Sequence, residues 1–182
     1  MTMKYHDGNS YVEVNKAHPL PVKAEIPVST PVHGRMVYIG PVGIPGIAAG
    51  DALDAGDAFG TKFSFLVPPS GAIVNFKFFD FDDEAIDKEL WLFRSEPTGI
   101  ASDAAFALAD TDLRKVIDVI RIEDYRDGQS GQIGFPVSGN LPIWYSCPSG
   151  RMWGQFWTIG TDNIAAGSMP AFSMVIERYS EG

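Results

Sequence analysis

The sequence predicts an all-β protein: an antiparallel β-sandwich, jelly-roll-like, with one short helical insertion and an extended N-terminal arm. After about residue 60 the chain runs as eight short apolar segments, each bounded by Gly, Pro, Asn or Ser. Before that point, six of the 13 prolines fall between Pro19 and Pro45. Each proline fixes φ and removes a backbone donor, which favours extended chain over helix or central strand. We therefore expect an extended Pro/Gly-rich arm over residues 1–57 and a β-sandwich domain over residues 58–182.

Alternation of apolar residues places the strands of the body. In residues 61–67, Phe63, Phe65 and Val67 share one face, which is the pattern of a strand buried on one side. The same pattern predicts strands at residues 72–79, 89–94, 115–122, 133–137, 141–145, 152–159 and 172–179. In the arm, strand character is confined to residues 10–14 and 35–39.

Helical signals are concentrated in residues 102–114. Ser102 or Asp103 can cap one short turn and Asp110 or Thr111 another, because short polar side chains accept hydrogen bonds from the free amides at a helix start. The expected helical content is one or two brief turns inserted between strands.

Composition and charge exclude several classes of protein. Apolar residues make up 45% of the chain, as in a folded domain. The formal net charge of -9 provides no positive field to attract nucleic acid. No apolar run is long enough to span a membrane, and no signal peptide is predicted. The single cysteine, Cys147, allows no intrachain disulfide, and we expect it to be a buried, unreactive thiol in a strand.

Catalytic side chains are scarce in the body. All three histidines, His6, His18 and His33, precede it. A Ser-His-Asp triad would have to draw its histidine from the arm, and no Cys/His set has the spacing of a metal site. The sequence therefore predicts neither an enzyme nor a cofactor.

The acidic run that begins at Asp80 is the one dense group of ionisable side chains. Asp80, Asp82 and Glu84 alternate, so in extended chain they would face one side and could hold Ca²⁺. The run lacks the glycine and the final glutamate of an EF-hand loop. The alternatives are a solvated connection whose charge protects a Phe-rich edge from aggregation, and a glycosidase-type carboxylate pair.

Four tryptophans also leave alternatives open. Exposed indole rings stack on sugars, whereas in a sandwich the same residues pack in the core or in an oligomer interface. The interpretation favoured by the alternation in residues 152–159 is core or interface. The four are Trp91, Trp144, Trp153 and Trp157.

Several stretches of the body form a larger pattern: FSFLVPPSGAIVNFKFFDFDDE (63–84), LWLFRSEPTG (90–99), SDAAFALADTDLRKVIDVIRI (102–122), MWGQFWTIGT (152–161) and SMPAFSMVIERY (168–179). Together they resemble a widespread family of small tailed-bacteriophage virion proteins. The features that carry the resemblance are Pro68/Pro69-Ser70-Gly71, Asp80, Leu92-Phe93, Pro97, Asp103-Ala104-Ala105-Phe106, Asp112-Leu113-Arg114-Lys115, Trp153-Gly154 and Gly160-Thr161. They span about residues 58–180 and leave the arm uncovered.

The resemblance implies a capsid decoration (cement) protein. Such a protein would be a homotrimer on the capsid surface of the virion, assembled in the host cytoplasm, and would clamp the major capsid protein. A carbohydrate- or receptor-binding module of a phage neck, tail or head fibre is the alternative. An extended arm of about 50 residues reaches roughly 150 Å, so we expect it to lie over a neighbouring subunit. The expected partner contacts are Tyr11, Val12, Val14, Ile26, Val28, Met36, Tyr38 and Ile39.

Overall fold

The computed structural model describes residues 4–6, 11–13, 36–48, 50–165 and 168–179. The chain divides into two units, Met1–His33 and Gly34–Gly182. The first unit contains a small antiparallel pair, β1 (Lys4–His6) with β2 (Tyr11–Glu13).

The second unit is almost entirely β-structure. Its strands are β3 (Met36–Gly43), β4 (Ala52–Leu53), β5 (Ala58–Leu66), β6 (Ser70–Asp80), β7 (Lys88–Phe93), β8 (Val116–Asp127), β9 (Gln132–Pro136), β10 (Ile143–Ser146), β11 (Arg151–Thr158), β12 (Asp162–Asn163) and β13 (Ala171–Arg178). Among the described residues the one helix is α1 (Asp110–Leu113). No helix in that part of the chain is long and apolar enough to cross a membrane.

Nine strands form a single antiparallel sheet in the order β3-β13-β6-β9-β8-β7-β11-β5, with β10 paired to β6. The short strands β4 and β12 form a separate pair. The large sheet curls into a half-barrel, so one of its faces encloses the core.

Two long strands produce the curl. One edge of β6 pairs with β13, and its other edge is shared by β10 near Ile73 and by β9 near Phe78. Strand β8 pairs first with β7 and then with β9, with a register shift between Ile122 and Asp124. Such irregularities bend a strand and increase its twist, so the sheet turns back on itself at β8 and β9.

A group of phenylalanines fills the core. Phe172 on β13 lies 5.1 Å, between ring centroids, from Phe63 on β5, although these strands stand near opposite ends of the sheet order. Phe65, Phe76 and Phe156 also contact Phe172, at centroid distances of 6.0, 5.9 and 5.8 Å. These are favourable distances for aromatic pairs. The two ends of the sheet are therefore joined by one shared aromatic core.

Gly154 on β11 allows this packing. A Cβ at this position would lie 2.8 Å from the Cζ of Phe63 and 3.1 Å from a methyl carbon of Leu90. Any side chain would thus push a core ring away from the strand. This explains in physical terms why glycine stands in the Trp153-Gly154 motif.

The eight predicted strands of the body are confirmed, as is the inward face of Phe63, Phe65 and Val67. Strand β8 continues to Asp127, beyond the predicted end of the strand at residue 122, because it pairs there with β9.

The compact unit begins at Gly34, well before the expected boundary at residue 58, because β3 pairs with β13. Pro41 is accommodated within β3 because this strand lies at the edge of the sheet.

The helical insertion is present but its predicted caps are wrong. Ala109 precedes α1 as its N-cap and provides no side-chain hydrogen bond. Asp110 instead lies in the first turn, and the Ser102 hydroxyl accepts a hydrogen bond from the Gly60 amide at 3.2 Å. Tertiary contacts with β5, rather than capping, therefore position this segment.

Candidate interaction surface and buried charged cluster

Large apolar side chains are exposed on β3 and β10, the two outer strands of the run β3-β13-β6-β10. Across these strands Met36 pairs with Glu177, Glu177 with Ala72, and Ala72 with Trp144, so these four residues form one transverse row. Met36 and Trp144 are 59% and 63% exposed, and Tyr38, two residues further along β3, is 63% exposed. We call Met36, Tyr38, Trp144 and Tyr179 the aromatic face.

Trp144 does not stand alone on this face. Its ring stacks on Tyr179 with centroids 5.1 Å apart and an interplanar angle of 23°. The Tyr179 hydroxyl donates a hydrogen bond to Glu177 at 3.3 Å. Stacking holds the indole in place while leaving most of it open to solvent. Tyr and Trp presented in this way are typical of residues that dominate the energy of binding interfaces.

The structure brings together two of the expected partner contacts, Met36 and Tyr38, on the aromatic face. Ile39 is half-buried and packs against the core. Of the remaining contacts, Tyr11 and Val12 belong to β2, while three lie outside the described residues: Val14, Ile26 and Val28. The role of the whole set in partner binding remains a prediction.

A second surface feature is a cleft of about 500 Å³ beside β11. Lys62 places its Nζ 5.6 Å from the centroid of the Trp153 ring, and Arg151 donates a hydrogen bond to the Ser64 hydroxyl at 2.7 Å. Lys62 Nζ also lies 2.7 Å from Glu96 Oε1, so the cleft presents charged groups of both signs beside an indole ring. The cleft is lined by Arg94, Ser95, Glu96, Pro148, Ser149, Arg151 and Trp153.

The prediction for the four tryptophans was core or interface: all four lie outside the buried core, so the core part is wrong, and the interface part stays a prediction. Trp91 and Trp157 are half-buried on the outer face of the sheet. Phe106 packs against both, with centroids 5.8 and 5.9 Å away. The insertion that contains Phe106 thus covers these two rings, whereas Trp144 remains open.

Gln155 fixes the insertion to the sheet. This residue is fully buried on β11. Its amide donates hydrogen bonds to the carbonyl oxygens of Ile100 at 2.6 Å and Gly60 at 3.2 Å, and it accepts one from the Ile100 amide at 3.1 Å. The sequence analysis did not single out Gln155, because the alternation of apolar residues does not indicate which groups a buried polar side chain would bind.

Asp112 of the predicted Asp-x-x-Lys step anchors the same region. It accepts hydrogen bonds from Lys115 Nζ at 2.8 Å and from the Thr98 amide at 3.1 Å. The hydrogen bond from Lys115 is the main cause that lowers the pKa of Asp112. This carboxylate ties α1 to the turn after β7.

The three acidic residues considered for Ca²⁺ bind backbone amides instead. Asp80 accepts hydrogen bonds from the amides of Asp82 and Ala85, at 3.2 and 3.1 Å. Asp82 accepts one from Ala165 at 3.3 Å, and Glu84 accepts one from the Asn163 amide at 2.8 Å. Within the described ranges, no three Asp, Glu, His or Cys side chains are placed to hold a metal ion. The run therefore attaches the β6–β7 connection to the segment around β12.

The positive charge at this place belongs to Lys88. Its side chain is 2% exposed, and its Nζ lies 2.7 Å from Oδ2 of Asp162, which is 1% exposed. The ammonium also donates a hydrogen bond to the Ile86 carbonyl at 3.0 Å and lies 4.8 and 5.1 Å from the ring centroids of Phe59 and Phe78. A buried lysine paired with a carboxylate between aromatic rings is a rare and costly arrangement.

The carboxyl groups around Lys88 have divergent pKa values. Burial, reinforced by the hydrogen bond with Asp80 and its charge, raises the pKa of Asp82 to about 7. Burial also raises the pKa of Asp162 despite the opposing charge of Lys88. Burial alone would raise the pKa of Asp80 as well, but hydrogen bonding to Asp82 and the charge of Lys88 together lower it. We call Asp80, Asp82, Lys88 and Asp162 the Lys88 cluster.

The single cysteine, Cys147, belongs neither to the aromatic face nor to the Lys88 cluster. Cys147 is fully buried directly after β10, and burial raises the pKa of its thiol. A thiol with a raised pKa holds little of the nucleophilic thiolate at neutral pH.

A scan against protein-family models, a search of curated proteins and a search of solved structures each found no match to this chain. The resemblance to small tailed-phage virion proteins therefore remains a prediction that depends on the motifs themselves.

Proposed function

We propose that this chain is a virion structural protein, a capsid decoration or cement protein that clamps major capsid protein subunits and stabilises the head. The observation that carries the proposal is the aromatic face. Large apolar side chains exposed on a folded domain, here Met36 and Tyr38 on β3 and Trp144 on β10, are surface that contact with another protein would bury. Trp144 and Tyr38 are the side chains on this face with the most surface to bury.

We also interpret the curled sheet as a jelly-roll sandwich. Two runs of four strands, β3-β13-β6-β10 and β5-β11-β7-β8, support this interpretation. Followed along the chain, the strands alternate between the two runs. Strand β3 lies in the first run, β5 in the second and β6 in the first; β7 and β8 lie in the second. Strand β10 then lies in the first run, β11 in the second and β13 in the first. That alternation is the winding of a jelly roll, an architecture common in viral capsids. Strand β9 is then an additional strand that bridges the two runs.

The position of the aromatic face on the sheet is suited to a protein that clamps a neighbouring subunit. Strand β3 is at the edge of the sheet, and the Pro-rich segment continues directly into it, so face and arm can act on one neighbouring subunit. A homotrimer on the capsid surface would present three such surfaces. Binding to the assembled shell but not to free subunits stabilises the shell by mass action.

The test is binding of the purified chain to capsids that lack it, followed by sedimentation and quantitative mass spectrometry. We expect saturation at a copy number of the same order as that of the major capsid protein. Trp144→Ser should weaken binding by about thirtyfold or more, since truncating an interface anchor costs at least about 2 kcal/mol. Trp153→Ser, in the cleft, is the matched control and should bind normally. Full binding by Trp144→Ser, or a few copies per particle, would contradict the decoration role.

The second candidate function is a carbohydrate- or receptor-binding module, and the cleft at Trp153 is the observation that favours it. Arg94 and Arg151 line this cleft together with the Trp153 ring, and the charge of the nearby Lys62 is paired with Glu96. A glycan array and quenching of tryptophan fluorescence would detect such a ligand. For this function the two variants should behave in the opposite way: Trp153→Ser should lose binding of the glycan, and Trp144→Ser should retain it.

A further inference from the structure

The Lys88–Asp162 contact places an amine beside a carboxyl group in a fixed and nearly solvent-free position. The Nζ–Oδ2 distance is 2.7 Å. Because a C–O bond is about 1.2 Å long, Nζ lies at most about 3.9 Å from the carboxyl carbon of Asp162. Groups held near about 3–3.5 Å react as if at a very high local concentration.

The contact is close, yet its geometry is unusual for an ion pair. Among the described residues, Asp162 Oδ2 has no hydrogen-bond donor at regular angles, although Nζ lies beside it. The lysine nitrogen is thus held against the carboxyl group without the regular angles of a hydrogen bond.

We propose that Lys88 and Asp162 are joined by an isopeptide bond that the folded protein forms without a cofactor or a partner enzyme. The bond would link the first residue of β7 to the first residue of β12. This inference does not depend on the virion role, since it concerns only the interior of the domain.

The reaction is a dehydration that balances within the pair. A proton first passes from the ammonium to the Asp162 carboxylate, which gives a neutral amine and a carboxylic acid. The nitrogen lone pair attacks the carboxyl carbon and a C–N bond forms. The C–O bond to the hydroxyl group then breaks, and a proton lost by nitrogen leaves with that hydroxyl. The products are one amide and one water molecule, and nothing is oxidised or reduced.

The surroundings favour the neutral reactants. Burial disfavours separated charges, and it raises the pKa of Asp162. The rings of Phe59 and Phe78 flank the nitrogen and exclude water, whereas the Ile86 carbonyl orients it. The product amide carries no charge, so the reaction removes the cost of burying two ions.

The paired carboxyl groups of Asp80 and Asp82 provide a proton carrier. Asp82 accepts a hydrogen bond from the amide of Ala165, three residues after Asp162, at 3.3 Å, so its carboxyl group lies against the segment that carries the reacting carboxyl group. A group with a pKa near neutrality is best suited to take a proton and return it. We assign to Asp82 the transfer of the proton from the nitrogen to the leaving hydroxyl group.

The same chain contains a matched control pair. Lys115 Nζ lies 2.8 Å from Asp112 Oδ1, nearly the same distance as in the Lys88–Asp162 pair, but the Lys115 side chain is 31% exposed. Its ammonium can remain hydrated, so this pair should stay unlinked. The comparison separates the effect of burial from that of proximity.

The decisive measurement is the intact mass of the purified, denatured full-length chain. We expect a mass lower than that of the sequence by one water molecule. Peptide mapping should find the segment with Lys88 attached to the segment with Asp162, and a protease specific for lysine should not cut after Lys88. The map also excludes a cyclic imide at Asp127–Gly128, which loses water too. A folded wild-type chain of full mass, or a water loss located elsewhere, would overturn the proposal without any variant.

Variants then test the roles. Lys88→Met and Asp162→Ala should each restore the full mass, whereas Lys115→Met should keep the water loss. Asp82→Asn should fold and form the bond about a hundredfold more slowly, as expected for loss of a general acid–base group. Bond formation at the normal rate in Asp82→Asn would remove Asp82 from the reaction.

Discussion

Truncation of Phe172 tests whether the two ends of the sheet share one core. The ring is fully buried and contacts four other phenylalanine rings. Phe→Ala in a packed core costs about 3–5 kcal/mol, from lost transfer free energy and from the cavity left behind. Each aromatic pair adds about 0.5–1.5 kcal/mol beyond its buried area. We therefore expect Phe172→Ala to lower the free energy of unfolding by a value near the upper end of that range.

The measurement is urea unfolding followed by tryptophan fluorescence, with the calorimetric Tm as a second observable. For a chain of this length the expected loss lowers the Tm by about 6–20 °C. Phe81→Ala is the control: Phe81 is 52% exposed, and exposed substitutions change stability by about 0.5 kcal/mol or less. A cost below about 1 kcal/mol for Phe172→Ala, or equal costs at the two positions, would refute the shared core.

Three further predictions concern the body. Gly154→Ala should cost about 1–3 kcal/mol through overpacking, while Gly43→Ala, where a Cβ meets nothing within 4 Å, should be nearly neutral; equal effects in urea titrations would contradict this. Asp82→Asn, incubated until its intact mass is constant, should have a higher Tm than the wild-type chain at pH 8 but not at pH 4. The pKa of Asp82 is about 7 in the folded chain and about 3.9 in the unfolded chain. Ionisation of Asp82 therefore lowers the free energy of unfolding progressively as the pH rises from about 3.9 to about 7, and this loss is complete above pH 7. The same change in Tm at both pH values would contradict this assignment of the pKa. Gln155→Leu should cost about 1–3 kcal/mol because both backbone groups of Ile100 lose their partner, and the Ile100 amide should exchange hydrogen faster; unchanged protection would count against this anchor.

The strands of the body were predictable because they depend on local alternation. Phe63 and Phe65 face the core as their spacing indicates, and turn residues mark the strand ends. The length of β8 was not predictable, since residues 124–127 are polar and become a strand only by pairing with β9. The boundary of the compact unit was missed for the same reason. Strand β3 contains Pro41 and looks like arm until its pairing with β13 is known.

The aromatic face was only partly predictable. Alternation in β10 places Ile143 inward and Trp144 outward, but it does not show that the outer side remains uncovered. Trp157 also faces outward, yet it is covered by Phe106 from the insertion. Whether an outward ring is exposed depends on where a long connection folds, and local sequence contains no information about that.

The Lys88 cluster shows that moving a strand boundary by one residue changes whether a whole segment is expected to be buried or exposed. If β7 began at residue 89, as predicted, the acidic run and Lys88 would form a polar connection exposed to solvent. The strand begins at Lys88, which gives it the same parity as the buried Leu90 and Leu92, so the lysine must enter the core. A lysine at an inward position requires an anionic partner. The sequence around β7 then explains the carboxylates that precede it, but not Asp162, which the fold brings from a distant loop. The acidic run is therefore tied to the interior of the domain, because it begins at the buried Asp80 and leads into Lys88, the one basic side chain buried in the core among the described residues.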